Sequence, residues 1–194
     1  MDAVATFLAQ MSWAEWLGAI TGLWCVWLVV KEHPLTWPVG IANNAFWLVL
    51  FWRAGLFADA LLQVVYAGIA VWGWWKWLHG GEGGGPLRVA RAPRPVLVAV
   101  GFAVLFGTVV LAGVLATWTP STAPWRDSLT TCLSLGAQYL MARKLLENWY
   151  VWIVADVLYV QLYLDKDLLL TAVVYGVFLT MCLVGLRRWR EALA

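Results

Sequence analysis

The chain has 194 residues, 63% of them apolar and only 12% charged, with sixteen Trp, a formal net charge of +2 and a mean hydropathy of +0.76. Soluble domains carry roughly 45–50% apolar and about 25% charged residues, so the composition excludes a soluble globular enzyme and a disordered segment, and the small net charge excludes a nucleic-acid binder. An apolar surplus of this size is matched by a lipid bilayer.

Crossing a hydrocarbon core of about 30 Å takes about 20 mostly apolar residues in a helix. Such stretches are expected at 13–30, 35–52, 56–78, 95–118, 128–144, 149–164 and 168–187. They are continuously apolar, without the alternation of outer-membrane strands, so the expected fold class is all-α with seven transmembrane helices. Lys31-Glu32-His33-Pro34 ends the first stretch and Arg53-Ala54-Gly55 the second. After the third comes a cytoplasmic Gly/Pro/Arg linker at 79–94, whose Gly80–Pro86 run and later Arg88, Arg91 and Arg94 forbid a continuous helix. The first basic residue is Lys31, so a cleaved signal peptide is not expected and the first stretch stays in the mature protein.

Seven spans put the termini on opposite sides. One side collects Lys31, Lys76, Arg88, Arg91, Arg94, Arg143, Lys144, Arg187, Arg188 and Arg190, and the other only Arg53, Arg126 and Lys166. By the positive-inside bias the N-terminus is outside and the C-terminus cytoplasmic. Trp13, Trp16, Trp52, Trp118 and Trp125 are then expected to anchor helix ends at the outer interface, and Trp37, Trp74, Trp75, Trp77, Trp149 and Trp189 at the inner one.

An offset of 112 residues relates the first three spans to the last three without a gap. It pairs Trp13 with Trp125, Trp37 with Trp149, Gly73 with Gly185, Trp77 with Trp189, Lys31 with Arg143, Glu15 with Asp127 and Lys76 with Arg188. Leu and Val matches arise easily in so apolar a chain; the Trp and charged pairs do not. The organisation expected is a three-helix repeat at 13–78, the linker, a linker helix at 95–118, and a second repeat at 125–190. One crossing by the linker helix makes the two repeats parallel, with a small-molecule site near mid-depth between them.

Polar residues at depth are candidates for that site. Asn43 and Asn44 lie halfway along the second span, and the offset carries Asn44 onto Asp156, halfway along the sixth. Trp47 follows Asn44 by three, Tyr159 follows Asp156 by three and Trp152 precedes it by four, so each set shares a helix face. Gln63 and Tyr66 lie in the third span, Tyr175 in the seventh at the position equivalent to Gln63, Gln138 and Tyr139 in the fifth, and Trp24 and Trp27 in the first. Aromatic faces with amide edges suit a flat aromatic ligand, and a carboxylate among them suits a cationic one. Residue by residue, packing of an aromatic or an interhelical hydrogen bond of an Asn is the competing reading; the ensemble carries the inference.

The remaining chemistry is sparse. Cys25, Cys132 and Cys182 lack metal or disulfide spacing and read as packing residues. No nucleotide-binding loop, metal site or cofactor site is recognisable. His33 and His79 read as solvated helix caps, Asp59 as a local partner of Arg53, Asp165-Lys166-Asp167 as an outer turn, and Glu147 as a loop contact of Arg143.

Trp37-Pro38-Val39-Gly40 with Asn43 and Asn44, Leu62-Gln63-Val64-Val65-Tyr66, Gly73-Trp74-Trp75-Lys76-Trp77, Arg143-Lys144, Glu147-Asn148-Trp149 with Trp152, and Leu170-Thr171-Ala172 with Tyr175 resemble the Pnu family of bacterial vitamin transporters over about 12–190. The resemblance implies a 3+1+3 carrier of the inner membrane, related in architecture to the sugar-carrying SWEET proteins and assembled as a homotrimer. It implies facilitated diffusion of a vitamin that a cytosolic kinase then traps by phosphorylation. Nicotinamide riboside is the cargo expected first, with thiamine or riboflavin as alternatives; a proton-coupled symporter using Asp156 is the alternative mechanism. Some riboside carriers resembled have Asn where this chain has Asp156, a carboxylate that would suit the nicotinamide cation or the thiazolium of thiamine.

Overall fold

The computed structural model describes residues 13–53, 57–119, 123–165 and 169–193. Seven α-helices occur among them: α1 (Trp13–Val30), α2 (Thr36–Arg53), α3 (Phe57–His79), α4 (Arg94–Trp118), α5 (Pro124–Ala142), α6 (Asn148–Asp165) and α7 (Leu169–Glu191). No strand occurs among the described residues. At 1.5 Å per residue the helices are about 27–38 Å long, enough to cross a bilayer core. By apolarity alone α4 and most of α7 stand out as spans; α2, α3, α5 and α6 carry Asn, Gln, Tyr or Asp on the faces that they turn inward.

Six helices close a ring. Neighbours in sequence pack together (α1 on α2, α2 on α3, α5 on α6, α6 on α7), and α1 meets α7 while α3 meets α5. Helix α4 stays outside the ring, packed on α5, with Val98, Phe102, Leu105 and Phe106 turned outward.

Contacts at positions 112 apart match bond for bond. Helix α1 ends with Glu32 N–H bonded to the Val29 carbonyl and His33 N–H to that of Leu28, both at 2.9 Å. Helix α5 ends with Lys144 N–H on Met141 at 2.8 Å and Leu145 N–H on Leu140 at 3.0 Å. This is a Schellman closure, built twice around a non-glycine residue in the left-handed region: Glu32 and Lys144 both have φ of 55°. Those two residues then meet each other, Lys144 Nζ lying 2.9 Å from Glu32 Oε2.

Four indoles form the core at this end. Trp37 and Trp77 meet edge to face at 5.4 Å and 86°, Trp149 and Trp189 at 5.4 Å and 85°, and Trp77 and Trp189 join the pairs at 6.0 Å. Trp77 Nε1 donates to the Met141 carbonyl at 3.0 Å and Trp189 Nε1 to that of Val29 at 3.1 Å. Close approach needs glycine: a Cβ on Gly73 would fall 2.5 Å from the Trp37 ring, and one on Gly185 would collide with Trp149 in the same way. Neither Trp37 Nε1 nor Trp149 Nε1 has a hydrogen-bond partner among the described residues.

The cluster corrects the expectation that these four Trp anchor helix ends in the headgroup region, for each is at most 2% exposed. A Trp near a helix end can turn either way, and here the facing glycines draw it inward. Trp52, Trp75, Trp118 and Trp125 are exposed, as interface anchors should be; the side chains of Trp13 and Trp16 lie outside the described residues. Helix α5 starts and ends earlier than the expected 128–144, because Pro124 sits in its first turn and the chain turns at Arg143–Lys144.

The linker is a strap rather than a loose tether. After a single 3₁₀ turn at Glu82–Gly84, Leu87 N–H bonds the Trp77 carbonyl at 2.9 Å. Ala90 then pairs with the α5–α6 turn, its N–H on the Lys144 carbonyl at 3.1 Å and its carbonyl accepting from Leu146 N–H at 2.9 Å. Lys144 Nζ donates to the Leu87 carbonyl at 3.0 Å and lies 4.8 Å from the Trp77 ring centre. Glu147 does not contact Arg143 as expected. Its Oε2 accepts the Ala92 N–H at 2.7 Å, whereas Arg143 donates to the Tyr139 hydroxyl. His33 and His79 are each bonded to nearby backbone, at Leu35 N–H and the Trp75 carbonyl. Asp165 pairs with Arg126 at 2.6 Å; residues 166–168 and the Asp59 side chain lie outside the described residues.

Candidate functional site

Every helix of the ring turns one face toward a shared cavity of about 620 Å³, and α4 contributes nothing to it. The faces follow helical periodicity. Helix α6 contributes Trp149, Trp152, Asp156, Tyr159 and Tyr163; α2 contributes Trp37, Gly40, Asn43, Asn44, Trp47 and Phe51. Helix α3 adds Gln63, Tyr66 and Ala70, α5 adds Thr131, Ser134, Gln138 and Met141, and α7 adds Tyr175, Phe178 and Cys182. From α1 come Gly22, Cys25, Val26 and Val29.

The cavity is floored at the strap end by the buried Trp37 and Trp149. Toward the other end Tyr159, Tyr163, Tyr175 and Phe178 crowd together, with Tyr159 and Tyr175 ring centres 4.7 Å apart, while Trp47 stacks on Phe51 at 5.4 Å. Between these aromatic ends lies a polar belt. Asn43 Nδ2 donates to Thr21 Oγ1 at 2.5 Å, fixing α2 to α1 and settling that amide's orientation.

Asp156 sits halfway along α6, 4% exposed, and is the one carboxyl group among the described residues that line the cavity, which include no Lys, Arg or His. No cation pairs with it among the described residues. Its Oδ2 accepts from Cys182 Sγ of α7 at 3.3 Å. A buried carboxylate in an aromatic-walled chamber is costly unless something positive or hydrogen-bonding completes it.

The structure brings together the ten residues singled out from the sequence: Asn43, Asn44, Trp47, Gln63, Tyr66, Gln138, Trp152, Asp156, Tyr159 and Tyr175 all line this cavity. Others considered with them lie elsewhere. Trp24 and Trp27 are 52% and 41% exposed on the outer face of α1, and Tyr139 turns away from Gln138 to stack on Trp72 at 5.7 Å. Cys25 and Cys182, read as packing residues, both line the chamber and hold polar partners, Cys25 on the Thr36 carbonyl at 3.1 Å. Their helical spacing in α1 and α7 was the available signal, since Cys182 is seven residues after Tyr175. Phe178, Tyr163, Ser134 and Thr131 extend the same stripes.

The size of the cavity falls within the range of small-molecule sites, about 300–1,000 Å³. Comparison with known proteins identifies the family. Residues 12–191 match the family model described as nicotinamide mononucleotide transporter. The nicotinamide riboside transporter PnuC of Escherichia coli is 26% identical over 205 aligned residues, covering 93% of this chain and 86% of that one. The riboflavin/roseoflavin transporter RibM of Streptomyces davaonensis is 29% identical over 197 residues, covering 97% and 89%. A solved structure described as the crystal structure of the vitamin B3 transporter PnuC has the same fold, with a TM-score of 0.72 at 24% identity over 98% of this chain and 86% of that one. The chain therefore belongs to the nicotinamide mononucleotide transporter family, the Pnu vitamin transporters: it is a multi-pass inner-membrane transporter and not an enzyme.

Proposed function

We propose that the chain carries nicotinamide riboside across the inner membrane by facilitated diffusion, and that a cytosolic kinase traps the vitamin. The observation that carries the cargo is Asp156, the sole charged side chain on the wall among the described residues, set between aromatic faces and amide edges. A pyridinium ring is flat, aromatic and cationic, and such a wall attracts it twice, through the ring faces and through the carboxylate. Among the described lining residues no Lys or Arg is present to hold a phosphate, consistent with passage of the dephosphorylated form alone. Asn43, Asn44, Gln63 and Gln138 offer amide edges to the carboxamide and ribose, while Trp47, Tyr66, Trp152, Tyr159 and Tyr175 supply the ring faces.

The architecture proposed with it is two parallel three-helix repeats, 13–78 and 125–190, joined by the linker at 79–94 and the helix at 95–118, assembled as a homotrimer with the C-terminus cytoplasmic. The matched turns, indole pairs and glycines at an offset of 112 support the repeat, and the ten-to-three distribution of basic residues supports the orientation.

Riboflavin is the second reading, favoured by the 29% identity to a riboflavin/roseoflavin transporter. Calorimetric titration of the purified protein with nicotinamide riboside, thiamine and riboflavin separates the readings, and tightest binding of the neutral flavin overturns the first. Asp156→Ala and Gln138→Ala are expected to weaken riboside binding with assembly intact; wild-type affinity in both removes those residues from the site. Uptake into proteoliposomes that reaches the same final level with and without a pH gradient is expected for a uniporter, and a gradient-dependent level points to proton symport through Asp156.

A further inference from the structure

A second cavity, of about 610 Å³, lies outside the ring between α4 and α5. Unlike the central chamber, its wall is almost wholly apolar: Ala99, Val100, Ala103 and Val104 on one side, Leu135 and Gly136 on the other. It runs along α4 from Pro95 to Gly107. Those twelve steps span roughly 18 Å, close to the depth of one leaflet, half of a hydrocarbon core of about 30 Å. At its deep end the helices converge, a Cβ on Gly107 falling 3.1 Å from Cys132 Sγ.

The shallow end carries a basic side chain: Tyr139 lines the groove and accepts from Arg143 Nη1 at 3.1 Å, with the guanidinium 5.8 Å from the ring centre. Arg143 pairs with no carboxylate among the described residues. We infer that this groove binds one anionic phospholipid, its acyl chain lying along α4 and α5 and its headgroup phosphate held by Arg143. Basic pockets between helices at a membrane surface have this chemistry.

The test is native mass spectrometry of the full chain in detergent micelles containing phosphatidylglycerol and phosphatidylcholine of identical chains at equal concentration. One phosphatidylglycerol retained per chain is expected, in preference to phosphatidylcholine. Arg143→Gln should reduce that preference about fivefold and, being at the surface, leave the fold intact. Ala103→Trp fills the groove and should abolish retention of both lipids. Equal retention of the two lipids by the wild type overturns the proposal, as does undiminished retention by Ala103→Trp. So does near-complete disulfide capture of one copy by another through Ala99→Cys in native membranes, which would show the groove covered by protein.

Discussion

Replacing Lys144 by Met tests whether the strap end is held by charge. The substitution keeps the length and apolar stem of the side chain and removes three interactions: the pair with Glu32 at 2.9 Å, the hydrogen bond to the Leu87 carbonyl at 3.0 Å, and the ammonium 4.8 Å from the Trp77 ring centre. A hydrogen bond to a charged group contributes about 1.5–3 kcal/mol and a partly desolvated cation over Trp about 0.5–2 kcal/mol. The ion pair adds less, because the Glu32 side chain keeps 29% of its exposure and regains water when its partner is lost. Methionine recovers part of the packing over Trp77, so the expected net loss is about 3 kcal/mol. For a chain of this size that lowers the thermal midpoint by roughly 6–12 °C, read by circular dichroism in detergent. Glu32→Gln should cost about 1 kcal/mol, and the double variant less than the sum of the two, because both remove the same pair. A midpoint for Lys144→Met within about 2 °C of wild type would refute the reasoning.

Three further outcomes are expected. Gly185→Ala places a methyl group against the buried Trp149 ring and should destabilise by about 1–3 kcal/mol; an unchanged melting curve would mean that α6 and α7 do not approach as closely as described. Trp189→Phe and Trp77→Phe each remove an indole hydrogen bond to a buried carbonyl, at Val29 and Met141, that still accepts the N–H closing the helix, and should each cost about 0.5–1.5 kcal/mol and agree with each other, so clearly unequal losses contradict the likeness of the two turns. Cys182→Ala removes the donor on Asp156 Oδ2 and should weaken nicotinamide riboside binding about two- to tenfold, measured by calorimetry; unchanged affinity means that the thiol does not position the carboxylate.

Helix number, order and the stripes facing the chamber were legible because each rests on local periodicity. Asn44 with Trp47, and Asp156 with Tyr159, share a face by spacing alone. The destination of the end Trp residues was not local. Trp37 and Trp75 both lie near strap-side helix ends, yet one is buried and the other 58% exposed. What separates them is Gly73, thirty-six residues from Trp37, and the offset pairing of both residues with Trp149 and Gly185 was the signal that could have joined them. The ion pair of Glu32 with Lys144 was hidden for a related reason: the offset aligns an acid with a base there, which reads as a mismatch until the two are seen to face each other. The strap was hidden by its composition, since glycine and proline mark where a helix stops and say nothing of what the backbone then pairs with.

The two indole N–H groups of Trp37 and Trp149, without a hydrogen-bond partner among the described residues, have a thermodynamic sequel. Each stranded donor raises the free energy of the sealed arrangement by about 1–3 kcal/mol, and any displacement that let water reach the pair would recover it. Two unmet donors inside the aromatic cluster thus offset part of what its apolar packing contributes at this end of the molecule.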